Sequence, residues 1–110
     1  MSHYLYLGLA IIFEVVGTIA LRLTDGFSKA IPSTIVVIAY ALSFYFLSFT
    51  LKTIPVAIAY ALWSGIGIIL IVLLGWKFLG QALDTPALVG LGFILVGVVV
   101  INLFSKSVVH

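Results

Sequence analysis

One carboxylate is set apart from every other charge in the chain. Glu14 lies inside the apolar run from Tyr4 to Leu21, ten residues from its start and seven from its end. At about 1.5 Å of rise per residue, that is roughly 10–15 Å from either end of a helix. An ionisable side chain at the centre of a bilayer costs about 2.5–3.5 kcal/mol on insertion scales, so Glu14 is expected to face away from lipid. It is the only acid within an apolar run, and no lysine or arginine lies in the middle of one. Its counter-charge must therefore come from outside, as a proton or as a cation. One carboxylate takes one or the other but not both, and that exclusion is what an exchange of protons for cations requires. The competing reading is a protonated Glu14 that only links neighbouring helices by a hydrogen bond.

The residues that share the Glu14 face at helical spacing are Leu7, Ala10, Ile11, Gly17, Thr18 and Leu21. Ala10, Gly17 and Thr18 are small, which suits close helix packing or the wall of a cavity. Aromatic side chains recur in the middle of later apolar runs. Tyr40 and Phe44 are four apart, with Ser43 and Leu47 beside them, and Tyr60 and Trp63 are three apart. A ring face holds a cation for about 0.5–2 kcal/mol, so a carboxylate with several such rings suits a hydrophobic cation. Each ring taken alone is equally consistent with core packing. Tyr4, Tyr6 and Trp76 lie near run ends and read as interfacial belt residues.

The elements that position these groups are four apolar runs between polar breaks. A hydrocarbon core about 30 Å thick needs roughly 20 helical residues, which predicts helices over about 4–21, 33–51, 56–78 and 86–104. The first ends at Arg22-Leu23-Thr24-Asp25-Gly26. The second is expected to start at Pro32-Ser33, a proline and helix-cap pair. The third follows Pro55, with Trp76 and Lys77 as anchors, and the fourth follows Asp84-Thr85-Pro86, where Asp84 or Thr85 can cap. Gly65-Ile66-Gly67 is expected to interrupt the third helix as a hinge, with close packing as the alternative. Gly90 and Gly97, two turns apart, form a small-residue stripe suited to a dimer contact. The fold class is an all-α membrane protein with four transmembrane helices per chain, residues 1–110 forming one transmembrane domain. The runs lack the alternation of a barrel strand.

Composition narrows the function. Of 110 residues, 65% are hydrophobic and 7% charged, against roughly 25% charged in soluble domains. A soluble fold is excluded. No cysteine is present, and His3 and His110 at opposite ends make a poor ligand set, so neither a metal nor another cofactor is expected. The basic residues are scattered, which argues against nucleic acid. With four spans, Lys52 and Lys106 fall on one side and Arg22, Lys29 and Lys77 on the other. Two against three is a weak bias under the positive-inside rule, so both orientations can insert and an antiparallel homodimer can form. The alternative is one fixed orientation.

Several stretches together resemble the small multidrug resistance family over essentially the whole chain: Tyr4-Leu5-Tyr6-Leu7-Gly8, Glu14-Val15-Val16-Gly17-Thr18, Gly26-Phe27, Ile54-Pro55, Ile58 through Gly67, Gly80-Gln81 and Ile101-Asn102-Leu103. The resemblance implies an antiparallel, dual-topology homodimer in the bacterial inner membrane. It further implies proton-coupled export of lipophilic, aromatic or quaternary ammonium cations by alternating access, with proton and substrate competing for Glu14. It assigns substrate contact to Tyr60 and Trp63, pocket lining to Tyr40, Ser43, Phe44 and Thr18, the bend to Gly65 and Gly67, and the dimer seam to Gly90 and Gly97. Ala57 stands where the family usually has glycine, and Ile31 where it often has tryptophan.

Four other functions compete. A guanidinium exporter of the same family is disfavoured by Gly17 and Ser64, where that branch tends to carry tryptophan and threonine. A structural or regulatory membrane subunit is another reading, and a passive proton or cation pore would need a continuous polar path, for which only Glu14 and a few hydroxyls are available. An enzyme would need a nucleophile–base pair, and none is evident.

Overall fold

A computed structural model describes residues 2–106, with side chains from Tyr4 onward. His110 lies outside the described residues, as does the side chain of His3. Four helices follow one another: α1 (Ser2–Leu23), α2 (Ala30–Thr50), α3 (Val56–Leu79) and α4 (Thr85–Phe104). All four are long and apolar enough to cross a membrane, and among the described residues no strand occurs. The chain forms two compact units, which meet in sequence between Thr53 and Ile54.

In the first unit, α1 and α2 pack as an antiparallel hairpin, as their side-chain pairings show by running in opposite order along the two helices. Tyr6 meets Phe49 at 5.2 Å and Phe46 at 6.1 Å between ring centroids. Phe13 stacks on Phe46 at 5.8 Å and 7°. Further along, the Ser43 hydroxyl donates to the Ala10 carbonyl at 2.7 Å. Aromatic pairs of this kind contribute about 0.5–1.5 kcal/mol each beyond the area they bury. Tyr6, read from sequence as an interfacial residue only, is thus also part of the α1–α2 contact. Leu7, Ala10, Ile11, Val15, Val36 and Ala39 are buried.

The α1–α2 link is tight. Asp25, Gly26 and Phe27 all have left-handed φ angles, 49°, 71° and 65°, a conformation that only glycine adopts freely. Thr24, 1% exposed, organises it. Its hydroxyl donates to the Leu21 carbonyl and accepts from the Phe27 N–H, and its carbonyl accepts from the N–H groups of Ser28 and Lys29. The second helix starts at Ala30 and not at Pro32-Ser33. Lys29 is the N-cap, without a side-chain bond, and Ser33 donates its hydroxyl back to the Lys29 carbonyl at 2.6 Å instead of capping an N–H. Pro32 still falls in the first turn, where its missing N–H breaks no helical bond.

In the second unit, α3 ends at Gly80, whose φ of 67° makes a left-handed cap, and Gln81 N–H reaches back to the Gly75 carbonyl at 3.0 Å. The fourth helix starts at the Asp84 cap, whose carboxylate accepts from Ala87 N–H at 3.1 Å, with Pro86 in the first turn. The two helices touch at Gly65 and Val98. No residue of α4 is buried.

Candidate functional site around Glu14

Glu14 is half-buried near the middle of α1. One turn on, Thr18 points the same way, as the spacing of four residues requires, and its hydroxyl donates to Glu14 Oε1 at 3.0 Å. Thr18 Oγ1 also lies 2.8 Å from the Tyr40 hydroxyl of α2. Glu14, Thr18 and Tyr40 therefore form one hydrogen-bonded chain across the hairpin. Among the described residues no cationic side chain pairs with Glu14, and no buried side-chain polar atom lacks a hydrogen-bond partner. Nor is there a cluster of three or more potential metal ligands.

Gly17 sets the position of Tyr40. A β-carbon at residue 17 would lie 2.9 Å from both Cδ1 and Cε1 of the tyrosine ring, closer than carbon atoms pack. The bare glycine lets the ring lie against α1 with its hydroxyl beside Thr18. Phe44 continues the aromatic surface with its ring tilted 32° to Tyr40 at 6.5 Å, and it is 59% exposed. Ser43 is placed differently from its neighbours. It is fully buried and spends its hydroxyl on Ala10, so it joins α1 to α2 and does not reach Glu14.

Tyr60 and Trp63 belong to the second unit. They meet edge-to-face at 5.8 Å and 82° near the start of α3, with Tyr60 64% exposed and Trp63 half-buried. The third helix runs unbroken through Gly65-Ile66-Gly67. Gly65 packs on α4: a β-carbon there would lie 2.7 Å from Val98 Cγ2, which is the close-packing alternative to a bend. Gly67 is buried. Gly90 and Gly97 have open space where a β-carbon would stand, so neither makes a close contact within its own chain.

Sequence reasoning reached Glu14, Thr18 and Tyr40 singly but not the bond that joins them. The signal available was the i, i+4 pair of an acid and a hydroxyl on one helix face. The role of Gly17 was legible only as smallness, because the ring that needs the space is more than 20 residues away in sequence.

Four apolar spans, one of them carrying an acid with hydroxyl and aromatic neighbours, define a multi-pass membrane protein. Residues 2–94 match the family described as Small Multidrug Resistance protein. The chain is 50% identical over 110 residues to the multidrug transporter EmrE of Escherichia coli K12, with both chains covered in full. It is 49% identical, again over the full length of both, to the quaternary ammonium compound-resistance protein QacE of Escherichia coli. A membrane protein of Bacillus subtilis, YvaE, is 42% identical over 97% of this chain and 90% of its own. The chain belongs to the small multidrug resistance family, a family of transporters, and is a multi-pass protein of the bacterial inner membrane.

Proposed function

We propose that this protein exports lipophilic aromatic and quaternary ammonium cations in exchange for protons, with both ligands competing for Glu14. The observation that carries the reading is Glu14 itself: an acid in the middle of a membrane span, half-buried, held by a neutral hydroxyl and by no basic side chain. A carboxylate in that setting must be neutralised by a proton or by a cation brought to it. The printed functions of EmrE and QacE, a multidrug transporter and a quaternary ammonium resistance protein, agree in substrate class.

The reading places two copies antiparallel to each other, each contributing a Glu14. A cation arriving from the cytoplasm displaces protons from the two acids. The dimer then changes the side to which they open, and external protons displace the cation. Tyr40 and Phe44 supply rings beside the carboxylate, and Tyr60 and Trp63 supply the second aromatic cluster. Thr18 holds the carboxylate. Gly65 and Gly67 are where α3 bends as the dimer changes sides, a movement that must break the close Gly65–Val98 contact, and Gly90 and Gly97 seat the partner's α4. A helix with no buried residue and two open glycines suits such a role.

Guanidinium export is the nearest alternative. Gly17 and Ser64 disfavour it, because that branch tends to carry tryptophan and threonine at these positions. In liposomes holding purified protein, an imposed proton gradient is expected to drive tetraphenylphosphonium movement, and Glu14→Gln is expected to abolish it. Guanidinium transport without aromatic-cation transport would sink the proposal in favour of the alternative, and flux indifferent to the gradient would favour a pore.

A further inference from the structure

In the second unit a cleft separates α3 from α4 between the Gly65–Val98 contact and the 80–84 loop. Beside the loop it forms a cavity of about 240 Å³ bounded by Trp76, Gln81 and Leu88. A second cavity of about 180 Å³ runs on from it as far as Ile69 and Leu95. The two share Val72, Leu73 and Leu88 as walls. Leu73, Trp76 and Leu88 are each more than half exposed, so the cleft is open along its side. The polar groups that line it, the Trp76 indole N–H and the Gln81 amide, both stand at the loop end. Among the described residues the Gln81 side chain makes no hydrogen bond. Deeper in the cleft water has no polar partner, and an empty cleft forfeits the contacts of its walls.

The groups at the mouth decide between occupants. Lys77 stands one turn beyond Leu73 on α3, at the edge of the cleft. It is exposed, with its ammonium 5.9 Å from the centre of the Phe78 ring. Among the described residues no acid pairs with it, and Asp84, the one acid of this unit, gives its carboxylate to the Ala87 N–H at the start of α4. A cation and neutral N–H donors above an apolar channel match a phosphodiester above a hydrocarbon chain. The face proposed for a second copy lies elsewhere. Gly90 and Gly97 each follow a cleft-lining leucine, Leu88 and Leu95, by two residues, which is about 200° around α4. We propose that the α3–α4 cleft binds an anionic phospholipid, with one acyl chain lying between Leu73 and Leu95 and the phosphate held at Lys77, Trp76 and Gln81. The lipid fills the space that the two helices leave between them. Nothing in this depends on proton exchange at Glu14.

Bromine on an acyl chain quenches a neighbouring indole, and Trp63 and Trp76 are the only tryptophans. Full-length protein carrying Trp63→Phe therefore reports from Trp76 alone. It is reconstituted in phosphatidylcholine bilayers with rising fractions of brominated phosphatidylglycerol or brominated phosphatidylcholine. Half-quenching is expected at about fivefold less of the anionic lipid, the worth of one lysine at a membrane surface. Lys77→Gln is expected to bring the two curves together. Gly92 lines the cleft with open space where a β-carbon would stand, so Gly92→Leu fills the cleft from within and is expected to remove the same preference while Lys77 stays in place. Equal quenching by the two lipids before either of these substitutions overturns the proposal. So does a preference that survives Gly92→Leu, which would leave the lipid at Lys77 with no chain in the cleft. Quenching by neither lipid would show the cleft covered by protein, a second copy included, and overturns it as well.

Discussion

The ring of Tyr40 rests against the bare backbone of Gly17, with two ring carbons only 2.9 Å from where a β-carbon would stand. This contact brings the Tyr40 hydroxyl to Thr18, and through Thr18 to Glu14. The position of the carboxylate on α1 is therefore tied to an aromatic residue of α2 by one missing side chain. Gly17→Ala is expected to destabilise the hairpin by about 1–3 kcal/mol, the usual range for overpacking. Unfolding in mild detergent measures it. Adding Tyr40→Ala should recover most of the loss, and an equal loss with and without the tyrosine would refute the contact.

Gly65 makes the corresponding contact in the second unit. Its α-carbon lies so near Val98 that Gly65→Ala places a methyl group 2.7 Å from Cγ2. The expected cost is again about 1–3 kcal/mol, relieved by Val98→Ala. Full stability of the single variant would mean that α3 and α4 are not held this closely.

How much of this was legible in the sequence depends on distance along the chain. The four spans follow from runs of apolar residues, and the Asp84 cap and the glycine after Leu79 obey local rules of helix ends. The start of α2 was misplaced by the same kind of local rule: Pro32-Ser33 has the look of a helix start, but the left-handed turn at Asp25–Phe27 returns the chain early enough for Ala30 to be helical. Ser43, beside Tyr40 and Phe44, and Thr18, on the Glu14 face, read alike as hydroxyls expected to line a pocket. Only the packing of α2 on α1 separates them, sending one to a carbonyl and the other to the carboxylate.

Ser43→Ala removes a hydrogen bond between the two helices but leaves the Glu14 chain intact. Bonds of this kind between membrane helices contribute about 0.6 kcal/mol on average and up to about 1.7. A stability loss in that range with cation affinity changed less than about threefold is expected. A large loss of affinity at full stability would instead make Ser43 a ligand contact.

Gly90 and Gly97 offer a clean test of assembly. Within one chain a β-carbon at either meets nothing within 4 Å, so a larger residue there should not disturb the fold of the chain that carries it. Gly90→Leu with Gly97→Leu is expected to raise the monomer fraction in detergent at least tenfold, by cross-linking or ultracentrifugation, without loss of helix content by circular dichroism. An oligomeric state unchanged by the double substitution would refute the proposed seam at Gly90 and Gly97.

The proposed competition for Glu14 also predicts a sign in pH. A proton on the carboxylate must leave before the cation is held, so apparent affinity for tetraphenylphosphonium should rise with pH, by at most about tenfold per unit for each proton displaced, and level off once the acid is free. Affinity that is flat in pH, or that falls as pH rises, would separate the two ligands.

The most direct measurement is of the protons themselves. Tetraphenylphosphonium added to the purified protein in weakly buffered detergent, at a pH where binding is still rising, should release protons that a pH electrode or dye records in proportion to occupancy. Glu14→Gln should release none. Cation binding by the native protein without proton release, or release undiminished in Glu14→Gln, would contradict a shared site at Glu14.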